Sequence, residues 1–205
     1  MEPLHLGVLL AGAWAILALV FLYLKAKAYG QRTLYSKPAG DSAKGVIYAF
    51  TKGLAPWAKE SVRMNLPAYA AGMAFHAGVF NAFGLLFAAI FGLELPTSLA
   101  FLARILLLGG VIGGFSLFGK RVFKPQLRGL SCPDDFVANL LSSLFVLLAL
   151  AWTFSPSLEG VWMSEGILLL VYAPLGKIRH CCFFFTTRYH LGAFFGRRGT
   201  YPPQV

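Results

Sequence analysis

Two histidines sit inside long apolar runs of this chain: His76 in AYAAGMAFHAGVFNAFGLLFAAIF and His180 in GILLLVYAPLGKIRHCCFFFTT. An ionisable side chain at such depth is costly in lipid and tends to face a bundle interior, a cofactor or a pathway. His76 is nine residues past Pro67 and His180 eight residues before Arg188, so at ~1.5 Å of rise per residue both stand roughly 12 to 14 Å from the same boundary. Two imidazoles on different helices at one depth fit the axial positions of a haem iron, because bundles hold cofactors with side chains that project inward from facing helices. A single intramembrane histidine has another outlet, a hydrogen bond to a neighbouring helix. Lys177 and Arg179 flank His180 and are candidate counter-ions for haem propionates, since carboxylates take charge-assisted hydrogen bonds from cations. Their long stems also let them snorkel to the headgroups. Both readings stand on the sequence.

The elements that position these residues follow from composition. Of 205 residues, 58% are hydrophobic and 13% charged, too apolar for a soluble domain of this size. Apolar runs near the ~20 residues that a bilayer core requires cover residues 4–24, 68–91, 99–118, 136–154 and 162–187. The expected fold is an all-α, five-helix transmembrane bundle forming one membrane domain over residues 1–205. The first run is expected to be a retained span, because Glu2 is the one charge before it and the basic residues follow it, the reverse of a signal peptide.

Charge sets the expected topology. Lys25, Lys27, Arg32, Lys37, Lys44, Lys52, Lys59 and Arg63 follow the first span; Lys120, Arg121, Lys124 and Arg128 follow the third; Arg188, Arg197 and Arg198 follow the fifth. The positive-inside rule places all of these in the cytoplasm, with Glu2, Glu94, Glu159 and Glu165 toward the other face, the N-terminus outside and the C-terminus inside. The net charge of +10 is then a topology signal and a surface for anionic lipid or an acidic partner. No nucleic-acid-binding module accompanies it.

Smaller features fill in the frame. Between residues 28 and 66, Val46, Phe50, Leu54 and Trp57 recur at helical spacing among lysines, the pattern of an interfacial helix, and Pro56 divides it into two pieces. GGVIGG, from Gly109 to Gly114, permits close helix packing. Arg104 in the same span reads either as a contact for an anion, a quinone oxygen or a propionate, or as a snorkelling arginine. Cys132, Pro133, Asp134 and Asp135 are start signals for the fourth span. Pro174 is expected to kink the fifth about two turns before His180. His5 reads as an interfacial residue and His190 as a surface residue at the inner face. The three cysteines form no CxxC or CxxCH, so neither a zinc ribbon nor a covalent haem is indicated.

The motifs FHAGVF (Phe75 to Phe80) and PLGKIRH (Pro174 to His180), together with five spans and an outside N-terminus, resemble the gamma-subunit family of respiratory nitrate reductase, the five-helix membrane cytochromes b. The resemblance covers most of the chain from Lys59 onward. Within it, KESVRMNLPAYAAGMAFHAGVF is more similar to the branch serving sulfate-reducer and methanogen complexes, where the cytochrome pairs with a cytoplasmic iron-sulfur protein like heterodisulfide reductase. The inner-haem ligands of the nitrate reductase subunit match His76 and His180. Its outer-haem ligands fall at Leu86 and Trp162, which do not ligate iron. The resemblance therefore implies one haem b near the cytoplasmic side, with an outward-facing partner, such as a periplasmic multihaem cytochrome c, to complete any path across the membrane.

The expected function is that of a haem-b subunit in a prokaryotic cytoplasmic membrane, passing electrons between the menaquinone pool or a membrane redox partner and a cytoplasmic iron-sulfur subunit. No residue stands out as a general acid or base, so the protein's part is to hold and tune the cofactor. A haem-free anchor that tethers a cytoplasmic redox subunit through its basic loops is the alternative. A transporter is disfavoured, because inverted repeats and a polar substrate path are missing from the sequence.

Overall fold

The computed structural model describes residues 3–30, 35–58 and 60–203. Glu2, Arg32 and Lys59, three charges used in the topology reading, lie outside the described residues. Those described form helices and turns, with no strand among them. Four helices are long and apolar enough to cross a membrane: α1 (Pro3–Ala28), α4 (Leu66–Ile90), α5 (Thr97–Phe123) and α7 (Pro133–Trp152). The fifth apolar run is two helices, α8 (Glu159–Tyr172) and α9 (His180–Arg197), which count as a fifth span when taken together. Short helices α2 (Ser42–Phe50), α3 (Glu60–Arg63) and α6 (Pro125–Gly129) complete the chain. The contacts divide it into two compact units, Met1–Leu17 with Pro67–Ile178 and Ala18–Leu66 with Arg179–Val205.

The first unit has a side-chain core. Leu107, Phe145, Val146, Trp162 and Met163 are buried to within 1% exposure, and the Trp162 ring stacks on Trp152 (4.6 Å between centroids) and on Phe145 (6.1 Å). In lipid, helix association depends on packing rather than on exclusion of water, so interdigitated rings of this kind hold α5, α7 and α8 together. α4 joins α5 by a different route. A Cβ added to Gly78 would lie 2.6 Å from the Gly110 Cα, and one on Gly114 would lie 2.7 Å from the Phe75 ring. The glycines of GGVIGG thus bring α4 against α5, as their spacing suggests.

The fifth run breaks rather than kinks. Pro174 lacks the N–H that would continue the ladder, and the amides of Leu175 and Gly176 both turn back to the Tyr172 carbonyl at 2.9 and 3.1 Å. The Val171 carbonyl is instead reached by the Trp14 indole N–H of α1 at 3.2 Å. A 3-10 turn, Lys177–Arg179, then leads into α9.

The second unit is built on close backbone approach. Asp41 caps α2 by accepting from the Ala43 amide at 2.8 Å, a favoured N-cap arrangement. The buried face of α2 is Gly45 and Ala49, and it lies on Gly192 and Gly196 of α9: a Cβ on Gly45 would come within 2.7 Å of the Gly196 amide, and one on Gly192 within 2.7 Å of the Val46 Cα. The apolar stripe read from Val46, Phe50, Leu54 and Trp57 is a different face, with Leu54 and Trp57 exposed. Beyond Phe50 the chain passes through 3-10 turns at Lys52–Leu54 and Pro56–Ala58, so the segment is divided near Pro56. The Ala39 and Gly40 amides donate to the Arg197 carbonyl at 2.8 and 3.0 Å, which ties the preceding loop to the end of α9.

Candidate functional site

His76 lies on α4 with its ring exposed. Its neighbour Phe75 sits over Gly114 of α5, which turns the next residue around the helix away from that contact. The His76 Nδ1 is 2.7 Å from the Gly72 carbonyl one turn earlier. A carbonyl can only accept, so Nδ1 donates this hydrogen bond. A backbone hydrogen bond at one ring nitrogen fixes tautomer and orientation and raises the basicity of the other, the arrangement typical of metal-binding histidines. Phe75 and Phe80 lie beside the ring, at 6.2 and 6.4 Å between centroids; a Cβ on Gly72 would meet nothing within 4 Å, and Met73, Phe80 and Phe87 continue an exposed stripe along α4. Of the small residues flanking His76, Gly72 leaves space and Gly78 packs on α5.

His180 is the first residue of α9 and is exposed, as is Arg179 before it. The structure assigns His76 and Lys177 to the first unit and Arg179 and His180 to the second. Lys177 has a partner that the local sequence did not suggest: its ammonium is 2.7 Å from Asp135. Asp135 also takes the Arg121 guanidinium at 3.3 Å and the Cys132 amide at 3.0 Å, while the Tyr172 hydroxyl donates to Asp134. Arg121 in turn donates to Ser131 at 2.9 Å. Two carboxylates in the first turn of α7, where a helix N-terminus favours negative charge, therefore clamp both sides of the break at residues 173–176. That clamp fixes the chain up to three residues before His180.

The positions of the outer-haem ligands in the resemblance are core positions. Leu86 is 3% exposed and Trp162 is fully buried in the same cluster. A Cβ on Gly166 would touch both Leu86 and Phe145 at 3.3 Å, and Phe145 stacks on Trp162. Side chains fill this volume.

Arg104 has a partner that neither reading of its sequence named. It donates to the Thr153 carbonyl at 2.8 Å and to the Thr153 hydroxyl at 3.3 Å, with its guanidinium 4.9 Å from the Phe154 ring centre. It caps the C-terminus of α7, where a cation meets the negative end of the helix dipole. Arg104 also lines a cavity of about 470 Å³ with Glu94 and Glu159. His5 approaches Glu159 at 3.6 Å. His190 is exposed and lines a second cavity, of about 1040 Å³, together with Arg197 and Lys27. The sequence reading missed that cavity because α9 runs ten residues past Thr187, where the apolar run stops.

Among the described residues no group of three or more His, Cys, Asp or Glu side chains gathers to hold a bare metal ion. A porphyrin-borne iron asks the protein for only one or two axial groups. In comparison with known proteins, no family model, no curated protein and no solved structure matches the chain.

Proposed function

We propose that this chain is the haem-b membrane subunit of a multi-subunit respiratory complex, with His76 and His180 as axial ligands. The observation that carries the reading is the Nδ1 hydrogen bond of His76 to Gly72, a backbone contact of the kind that orients metal-binding histidines. Haem would supply one-electron transfer. The residues here supply the ligands, their orientation and the surrounding field. Arg179 is the propionate contact beside His180. Lys177 acts through Asp135, and its contribution is to hold the break from which α9 starts. The packing of Leu86, Phe145 and Trp162 supports one haem rather than two.

In the same reading the N-terminus lies outside, the C-terminus in the cytoplasm of a prokaryotic cell, and electrons pass between menaquinone or a membrane redox partner and a cytoplasmic iron-sulfur subunit similar to heterodisulfide reductase. The test is a reduced-minus-oxidised spectrum of the purified chain with haem quantified per polypeptide, beside His76→Ala and His180→Ala. We expect one low-spin haem b per chain and its loss in both variants. Two haems per chain would refute the packing argument. A native chain without a Soret band would leave the haem-free anchor as the function.

A further inference from the structure

The cavity of the second unit has a composition of its own. Its walls come from the end of α1, from α2 and from α9, and its volume of about 1040 Å³ lies at the upper end of the range of small-ligand sites. Lys27, Arg197 and His190 line it, and none of its fourteen lining residues is acidic. The rest of the wall is largely aromatic, with Tyr23, Phe50 and Tyr189 among the rings. Arg197 is partly satisfied: one terminal nitrogen donates to the Ser36 carbonyl at 2.7 Å, while its Nε is buried and has no partner among the described residues. A buried donor left without an acceptor is costly, and a guanidinium is matched in shape and charge by a phosphate oxygen.

The setting distinguishes between sources of such an anion. On α1, the residues just before the cavity are apolar and exposed, with Val20, Phe21 and Leu24 all more than 45% accessible, and Tyr23, Lys25 and Lys27 follow at the helix end. An aromatic and lysines at the end of an apolar helix mark a headgroup level, and basic clusters there attract anionic lipid. We propose that this cavity binds an anionic phospholipid, its phosphate on Arg197 and Lys27, its glycerol region against the aromatic wall and an acyl chain along the exposed flank of α1.

The test uses the full chain, purified and delipidated in detergent, with phosphatidylglycerol and phosphatidylcholine of the same acyl composition as probes. Retention in native mass spectrometry and the shift in thermal unfolding temperature are the readouts. We expect phosphatidylglycerol to be retained and to raise the unfolding temperature, with phosphatidylcholine doing neither. The Lys27→Gln/Arg197→Gln double variant should lose at least tenfold in apparent affinity for phosphatidylglycerol, while Arg128→Gln, on α6 and outside the cavity, should not. If the double variant fails to fold, Lys27→Gln alone, at the exposed end of α1, should lose about threefold. Equal responses to the two lipids, an unchanged response in the variants, displacement of the lipid by inorganic phosphate at equal concentration, or displacement by a menaquinone analogue would each overturn the assignment. The readouts do not involve haem, so failure here leaves the cytochrome reading intact.

Discussion

The core of the first unit around Trp162 and the α2–α9 pair of the second hold their helices together by opposite means, while α4 and α5 of the first unit also meet at backbone glycines. In the first, bulky side chains meet: Trp162, Phe145, Leu107 and Met163 interlock at essentially zero exposure. In the second, the buried faces of α2 and α9 consist of Gly45, Ala49, Gly192 and Gly196, and main chain lies against main chain. A side-chain core loses contacts when atoms are removed, because its neighbours relax only partly into the space. A backbone contact has nothing to move. The comparison teaches that the Trp162 core should respond chiefly to removal of atoms and the glycine contact of α2 with α9 to their addition.

Trp162→Ala should therefore have the largest effect on the first unit, about 3 to 5 kcal/mol for a large aromatic deleted from a core, measured by thermal unfolding in detergent. The proteolysis pattern of residues 35–66 should stay unchanged, and a change there would show that the units are not separable in this way. Gly196→Leu is the converse, since its Cβ alone would lie 2.8 Å from the Gly45 Cα. Overpacking of this kind costs about 1 to 3 kcal/mol and should expose residues 35–58 to limited proteolysis while leaving the core rings of the first unit with their native near-ultraviolet signature. Asp135→Asn is the mildest, at about 1 kcal/mol, because Lys177 is half exposed and such pairs are screened by solvent. It sharpens the comparison by loosening the break after α8 together with the Arg121 contact and the start of α7, all within the first unit. In a haem-loaded chain it should broaden or shift the haem absorption without removing it, whereas His180→Ala should remove it.

Much of the first unit was legible. Apolar runs of spanning length marked α1, α4, α5 and α7, and the paired glycines from Gly109 to Gly114 announced a close neighbour, which is α4. The break in the fifth run was half legible. Pro174 pointed to it, but its sharpness depends on Asp134 and Asp135, about forty positions earlier, and on the Trp14 indole, partners that no local window contains. Arg104 shows the same limit: its acceptor, the Thr153 carbonyl, is at hand only because α7 ends beside α5. α9 was cut short at Thr187 since Thr186, Thr187, Arg188 and His190 interrupt the apolar run. The glycines that carry the helix onward against α2 signal a contact only once both helices are in view. At His76 the residue type and its place on an apolar helix were readable, while the hydrogen bond to Gly72 was not.

The pairing of α2 with α9 also has a consequence in time. Helix α2 is made before its partner, which is completed only 147 residues beyond Phe50, at Arg197; at typical rates of 5 to 20 residues per second that takes roughly 7 to 29 seconds. Throughout that interval the small-residue face of α2 is without its mate, and the clasp between the two helices closes only once α9 has been made.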